Sequence, residues 1–279
     1  MKLAERMSRL GTETAFEVLA RAKALEAEGR DIVHLEIGQP DYDTPQYIKD
    51  AACKALADGA TGYGPSAGIM EARERFAAYL AETRGMEVSA DEIVITPGAK
   101  PILFFGILAL VDEGDEVICP NPGYPIYESV VEFVGATAVA ARLREENEFR
   151  LDPEELKSLI TPKTKMIVLN SPHNPTGSVL TKEDLEAIAE IAIANDIWVL
   201  SDEPYSKMIF EGEHHSIAEV PGMKERTILL EGFSKTYAMT GWRLGYAAMP
   251  VELVEHVAKL QTNCTSCTAT FVQHAGIAA

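Results

Sequence analysis

Lys235 lies in Gly232-Phe233-Ser234-Lys235-Thr236-Tyr237, between an apolar run and the stretch Gly241-Trp242-Arg243-Leu244-Gly245. An amine in that setting can lose its water. Desolvation lowers its pKa and makes it the nucleophile that a Schiff base needs. Ser234 and Arg243 add a hydroxyl donor and a fixed cation, a pair suited to phosphate. Upstream, Asp202 stands in Ser201-Asp202-Glu203-Pro204-Tyr205, where it either caps a helix or holds a pyridinium nitrogen protonated. The segment Ser171-Pro172-His173-Asn174-Pro175-Thr176-Gly177 has turn composition and also presents Asn174 as an amide donor, with His173 read as a turn residue near the site. Gly98-Ala99-Lys100 opens an apolar helix over 101–111, and helix N-termini offer backbone N–H groups to phosphate. Tyr124, in Asn121-Pro122-Gly123-Tyr124-Pro125, stacks on a flat ring or packs beneath the turn. Singly, each residue has a plainer reading: a solvated loop lysine, a helix cap, a turn, a packed aromatic.

The elements that must position these residues are legible around them. Apolar runs at 92–96, 116–119, 165–170, 197–200, 227–231 and 245–249 read as strands. Asp152-Pro153-Glu154-Glu155 is an N-cap with proline at the first helical position, opening a helix that ends near Ile160. Thr181-Lys182-Glu183-Asp184 resembles a capping box, after which Leu185, Ile188, Ala189 and Ala192 share one helical face. A last amphipathic helix starts near Val251. Near-continuous apolar strands separated by helices predict an α/β fold, a mostly parallel sheet sandwiched by helices. The stretch between Glu231 and Gly245 is short for a crossover helix and leaves room for one strand there to run antiparallel. Ligands of such sheets sit outside the carboxyl ends of the strands. The loops after Thr96, Cys119, Asn170, Leu200 and Glu231, which carry the residues above, fall at those ends.

Composition excludes other classes. Of 279 residues, 47% are hydrophobic and 24% charged, which rules out a small stapled scaffold or a disordered tail and allows one large domain or two modest ones. The 25 Lys and Arg against 43 Asp and Glu leave a formal charge of −18, which repels nucleic acid and anionic membranes. A bound anion must therefore sit in a locally basic pocket. Residues 1–7 lack an apolar stretch of signal-peptide length, and the longest apolar run, 101–111, is too short to span a bilayer. Four scattered cysteines make no disulfide framework, so a reduced, cytoplasmic protein is expected. Cys264-Thr265-Ser266-Cys267 has no second pair nearby and is expected to pack rather than to bind metal or cycle redox. No metal site is expected.

Together and in this order, Asn174-Pro175-Thr176-Gly177, Asp202-Glu203-Pro204-Tyr205, and Ser234-Lys235 followed by Gly241-Trp242-Arg243-Leu244-Gly245 resemble the class I/II aminotransferases, pyridoxal-phosphate enzymes of fold type I. The resemblance covers essentially the whole chain. It implies that Lys235 attaches the cofactor and then shuttles the substrate proton. It implies that Asp202 pairs with the ring nitrogen and that Asn174 and Tyr205 bond the 3′-oxygen. Ser234, Arg243 and the backbone at Gly98, Ala99 and Lys100 would hold the phosphate, and Tyr124 would stack on the ring. Tyr63, in Thr61-Gly62-Tyr63-Gly64-Pro65, would reach the phosphate of a neighbouring subunit, which implies a homodimer. Gly38, in Ile37-Gly38-Gln39-Pro40-Asp41, would lie with Asn174 against the substrate. Ala99 sits where many relatives have serine, so one phosphate contact is expected from backbone alone.

The resemblance further implies an N-terminal arm and small-domain segment over 1–45 and a cofactor-binding large domain over 46–279. The C-terminal part of the small domain, which carries the family's carboxylate-gripping arginine, has no counterpart here, so the chain is expected to be a fragment. The expected function is amino-group transfer from an amino acid to a 2-oxo acid. The alternatives are a β-lyase or other amino-acid enzyme of the same cofactor class, or an inactive cofactor-binding fragment. A nicotinamide enzyme is disfavoured, since no G-x-G-x-x-G follows a predicted strand.

Overall fold

The computed structural model describes residues 3–12 and 14–279. Met1 and Lys2, at the start of the run read for a signal peptide, and Glu13, within the expected arm, lie outside the described residues. The elements are α1 (Ala15–Ala27), α2 (Gln46–Ala57), α3 (Met70–Arg84), β1 (Ile93–Thr96), α4 (Lys100–Leu110), β2 (Glu116–Asn121), α5 (Ile126–Val134), β3 (Thr137–Arg142), α6 (Pro153–Leu159), β4 (Thr164–Asn170), α7 (Lys182–Ala194), β5 (Trp198–Asp202), β6 (Thr227–Gly232), β7 (Gly245–Ala248), α8 (Val251–Thr265) and α9 (Thr270–Ala278).

One seven-stranded sheet runs in the order β1-β7-β6-β5-β4-β2-β3. The strands from β3 across to β6 are parallel, and β7 is antiparallel to both of its neighbours. The room left by the short β6–β7 connection is thus used for the reversal. Because β7 reverses twice, β1 points the same way as β6. Thr96 and Gly232 both pair with Gly245, so the ends of three strands meet there.

The apolar runs are continuous because alternate residues enter different cores. Met166, Val168, Leu200, Ile228 and Leu230 face a core shared with Ile102, Phe105, Val130 and Val257 of α4, α5 and α8. Ile167, Leu169 and Val199 face the opposite side, with Leu185, Ile188 and Ala192 of α7. Leu229, Ile93, Ile95 and Tyr246 pack under α2, α3 and α9 through Ile48, Phe76, Leu80 and Ala275. The caps form as expected: Asp152 accepts from the Glu154 N–H at 2.9 Å, and Thr181 accepts from the Asp184 N–H at 3.1 Å. The last long helix runs on to Thr265 and takes in Cys264. All four cysteines are free thiols. Among the described residues, no helix is long and apolar enough to cross a membrane.

Candidate functional site

The carboxyl ends of β1, β2, β4, β5 and β6 bring the chemistry-bearing residues to one edge of the sheet. Ser234 and Lys235 follow β6, and the Lys235 Nζ donates to the carbonyl of Gly38. Gly38 comes from the N-terminal segment, which the Tyr42 hydroxyl also ties down by donating to the Lys235 carbonyl at 3.4 Å. Gly38 and Lys235 thus meet across nearly two hundred residues.

Arg243 precedes β7, and Gly98 follows β1. They meet because Thr96 and Gly245 are paired. A Cβ on Gly98 would run into the Arg243 guanidinium, and its φ of +89° is one that glycine alone takes easily. A Cβ on Gly245 would lie 2.5 Å from the Ala99 nitrogen, so both glycines are required for this approach. The Gly98 N–H is itself used, donating to the Thr96 carbonyl at 2.8 Å. Its contribution is therefore the missing side chain rather than a donor. Helix α4 starts at Lys100 with no side-chain cap, which leaves its first turn suited to an anion.

Asp202 ends β5 and is buried. Its Oδ2 accepts from the Tyr127 hydroxyl at 2.5 Å. Burial pushes its carboxyl up to about 7, with Tyr127 pulling it down and the Glu203 charge adding to the rise. Burial pushes the neighbouring Tyr205 phenol up to about 12, so it stays a donor at neutral pH. Asn170 ties two parts of the site together. Its Nδ2 donates to the Asp202 carbonyl at 2.8 Å, and its Oδ1 accepts from the Asn174 N–H at 2.7 Å. Tyr124 meets the Tyr127 ring edge-on at 5.7 Å and has Lys100 Nζ 5.6 Å from its own ring centre.

His173 is buried, and desolvation lowers its pKa to about 4, so it is a neutral imidazole whose Nδ1 shares a proton with Thr176 Oγ1 at 2.8 Å. That is the turn role read from the sequence. Tyr63 stands apart from the cluster and is 92% exposed. Its loop is pinned by Gln261 Nε2, which donates to the Ser66 carbonyl at 2.5 Å, and by Thr270 Oγ1, which donates to the Ala60 carbonyl at 2.7 Å.

Two features escaped the sequence reading. One is the pair Tyr127 and Asn170. The other is a buried charge network behind Asp202. There Arg84 donates to Glu203 at 3.3 Å and to Glu231, and Glu203 also accepts from His214 at 2.7 Å, Ser216 at 2.7 Å and Ser201 at 2.8 Å. Burial raises Glu203, but His214, Arg84 and Ser216 outweigh it and hold the group below the usual range. Glu231 has fewer donors. Burial pushes it up to about 8 against the pull of Arg84, so near neutrality Glu203 carries the charge that Arg84 balances.

The Asp202 environment makes a testable demand. In the cofactor-free protein the native carboxyl keeps a proton that the unfolded chain has already released above about pH 4. Its burial therefore costs stability progressively as pH rises to about 7. Asp202→Asn is expected to gain on its parent by about 1.4 kcal/mol per pH unit across that range. Urea unfolding of both proteins at pH 5 and 7 checks it, and parallel curves would contradict it.

Residues 30–279 match the family model described as aminotransferase class I and II. The aspartate aminotransferase of Geobacillus stearothermophilus is 40% identical over 281 residues, spanning 100% of this chain and 72% of that protein. The aromatic-amino-acid aminotransferase 2 of Thermococcus litoralis is 40% identical, over 99% of this chain and 70% of its own. The solved aspartate aminotransferase from Thermus thermophilus with maleate superposes with a TM-score of 0.97 at 40% identity, covering 100% of this chain and 72% of that one. The chain thus spans about seven-tenths of the length of these relatives.

Proposed function

Because the chain belongs to the class I and II aminotransferases, we propose that its strand-end cluster binds pyridoxal 5′-phosphate and moves an amino group from an amino acid to a 2-oxo acid. The observation that carries this reading is the joint placement of Lys235, Asp202 and the Gly98–Arg243 contact at one edge of the sheet. The residues present fit such a cofactor. The close approach at Gly98, the uncapped start of α4 and the Arg243 guanidinium make a cradle for a phosphate. Asp202 is a buried acid with one oxygen engaged by a phenol, suited to a cationic ring nitrogen that would restore its charged form.

When bound, pyridoxal phosphate supplies an aldehyde carbon and an electron-accepting ring. The protein's own residues do the rest. Lys235 supplies the attaching amine and later carries the proton at the substrate carbon. Its contact with the Gly38 carbonyl ties the amine to the N-terminal segment before the cofactor is attached. Asp202 holds the proton on the ring nitrogen. Tyr205 and Asn174 donate to the 3′-oxygen, and Asn170 fixes the loop that presents Asn174. Ser234, Arg243 and the backbone at Ala99 and Lys100 hold the phosphate, and Tyr124 covers the ring. Gly38 leaves room for the substrate. On this reading residues 1–45 are the arm and small-domain segment, and 46–279 the cofactor domain. The exposed Tyr63 on its pinned loop supports a homodimer in which it reaches the neighbouring phosphate.

The test is direct. The protein is loaded with pyridoxal phosphate, reduced with borohydride and digested. A single modified peptide containing Lys235 is expected. The loaded protein should also convert aspartate, the substrate named for one relative, with a 2-oxo acid as acceptor. Modification at another lysine, or reduction that fixes nothing, would overturn the reading.

A further inference from the structure

Tyr127 is almost wholly buried, 1% exposed, at the second position of α5. Its ring belongs to the core beneath the sheet's carboxyl edge, beside Cys119, Val168 and Leu200. Phenylalanine would fill that volume as well. What tyrosine adds is one hydroxyl, and a buried hydroxyl must find a partner. Its partner is Asp202 Oδ2 at 2.5 Å. Asn170 holds the Asp202 backbone carbonyl, whereas the Glu203 charge beside it opposes ionisation of the carboxyl, which leaves Tyr127 as its side-chain donor.

From this geometry we propose that Tyr127 is a positioning residue for the amino-group transfer. Its hydroxyl fixes the Asp202 carboxylate, engaging one oxygen so that the other is aimed at the cofactor's ring nitrogen. The inference rests on the Asp202 role given above. It extends the site into α5, so that the core sets the geometry of the acid. Tyr124, one turn earlier and edge-on to Tyr127, carries the same rigidity toward the face of the ring. A donor at Oδ2 also helps keep Asp202 ionised, and an ionised acid holds the ring nitrogen protonated.

The experiment uses the holoenzyme loaded with pyridoxal phosphate labelled with 15N in the ring. The ring-nitrogen shift reports its protonation directly. In Tyr127→Phe the shift is expected to move toward the unprotonated value. The same variant should lose about 10- to 100-fold in kcat, the loss of one charged hydrogen bond, with KM changed less than about threefold. Asp202→Asn should move the shift further, and adding Tyr127→Phe to it should cost nothing more, since the two act as one unit. If Asp202→Asn moves the shift and Tyr127→Phe leaves it at the parent value, the role of Tyr127 falls and that of Asp202 stands. If Asp202→Asn leaves the shift unchanged, the Asp202 reading falls and this one with it. Should Tyr127→Phe not fold, 3-fluorotyrosine at position 127 keeps the ring and strengthens the donor. A ring-nitrogen shift unaltered by that change would overturn the proposal.

Discussion

Lys235→Ala is expected to slow the amino-acid half-reaction by about 10⁴-fold or more, because it removes both the attaching amine and the proton carrier. The fold should survive. Lys235 is half-buried, and its hydrogen bond to the Gly38 carbonyl is worth about 1 kcal/mol. Single-turnover absorbance changes with an amino acid measure the rate, and the thermal midpoint measures the fold. A small amine added in solution should restore part of the rate, since it can carry the proton that Lys235 no longer does. A variant within tenfold of its parent would take Lys235 out of the chemistry.

The second large effect lies away from the reacting atoms. Arg84→Met removes a cation shared by Glu203 and Glu231 and leaves two acids facing each other in the interior. Breaking a buried ion pair from one side costs about 3–5 kcal/mol, a large part of a typical domain's stability. His214 and two serines still support Glu203, so the loss falls mainly on Glu231. The parent's Glu231 titrates at about 8, and without Arg84 it should titrate higher. Above pH 8 the parent's stability no longer falls on account of this group, whereas the variant's continues to fall. The gap between them in urea unfolding should therefore widen from pH 8 to 9. A gap that narrows would mean that Glu231 is not the group left stranded.

The sequence made the edge of the sheet legible and much of its support illegible. Lys235, Asp202, Asn174 and Gly98 follow apolar runs bounded by Gly and Pro, and a parallel sheet gathers such segments at one end. The reversal of β7 was open to inference from the length of one connection. By contrast, β3 was missed because Thr-Ala-Val-Ala-Ala-Arg carries small residues at an edge, with only Ala141 fully buried. Helices α2 and α3 went unread too, being polar over most of their surface, with Ile48, Phe76 and Leu80 among the few residues that anchor them. Glu203 and Glu231 looked like ordinary acids. Their meeting with Arg84 spans 119 and 147 residues, and no local pattern encodes a partner that distant. No local pattern marks Tyr127, and only the fold supplies Asp202 as the partner for its hydroxyl.

The strand order also sets a timetable. Among the described residues β1 pairs only with β7, the last strand of this sheet in chain order, and roughly 150 residues separate the two. At roughly 5–20 residues per second, a ribosome needs about 7 to 30 s to deliver the partner. Throughout that interval β1 has a bare edge, and the apolar α4 that follows it has no finished sheet to lie on. A chain released just before Gly245 already holds Asp202, Asn174 and Lys235, yet lacks the strand that draws Gly98 up to Arg243. The anion cradle thus closes only once the last strand of this sheet has been made. Its late arrival follows from the pairing of distant strands rather than from any weak contact.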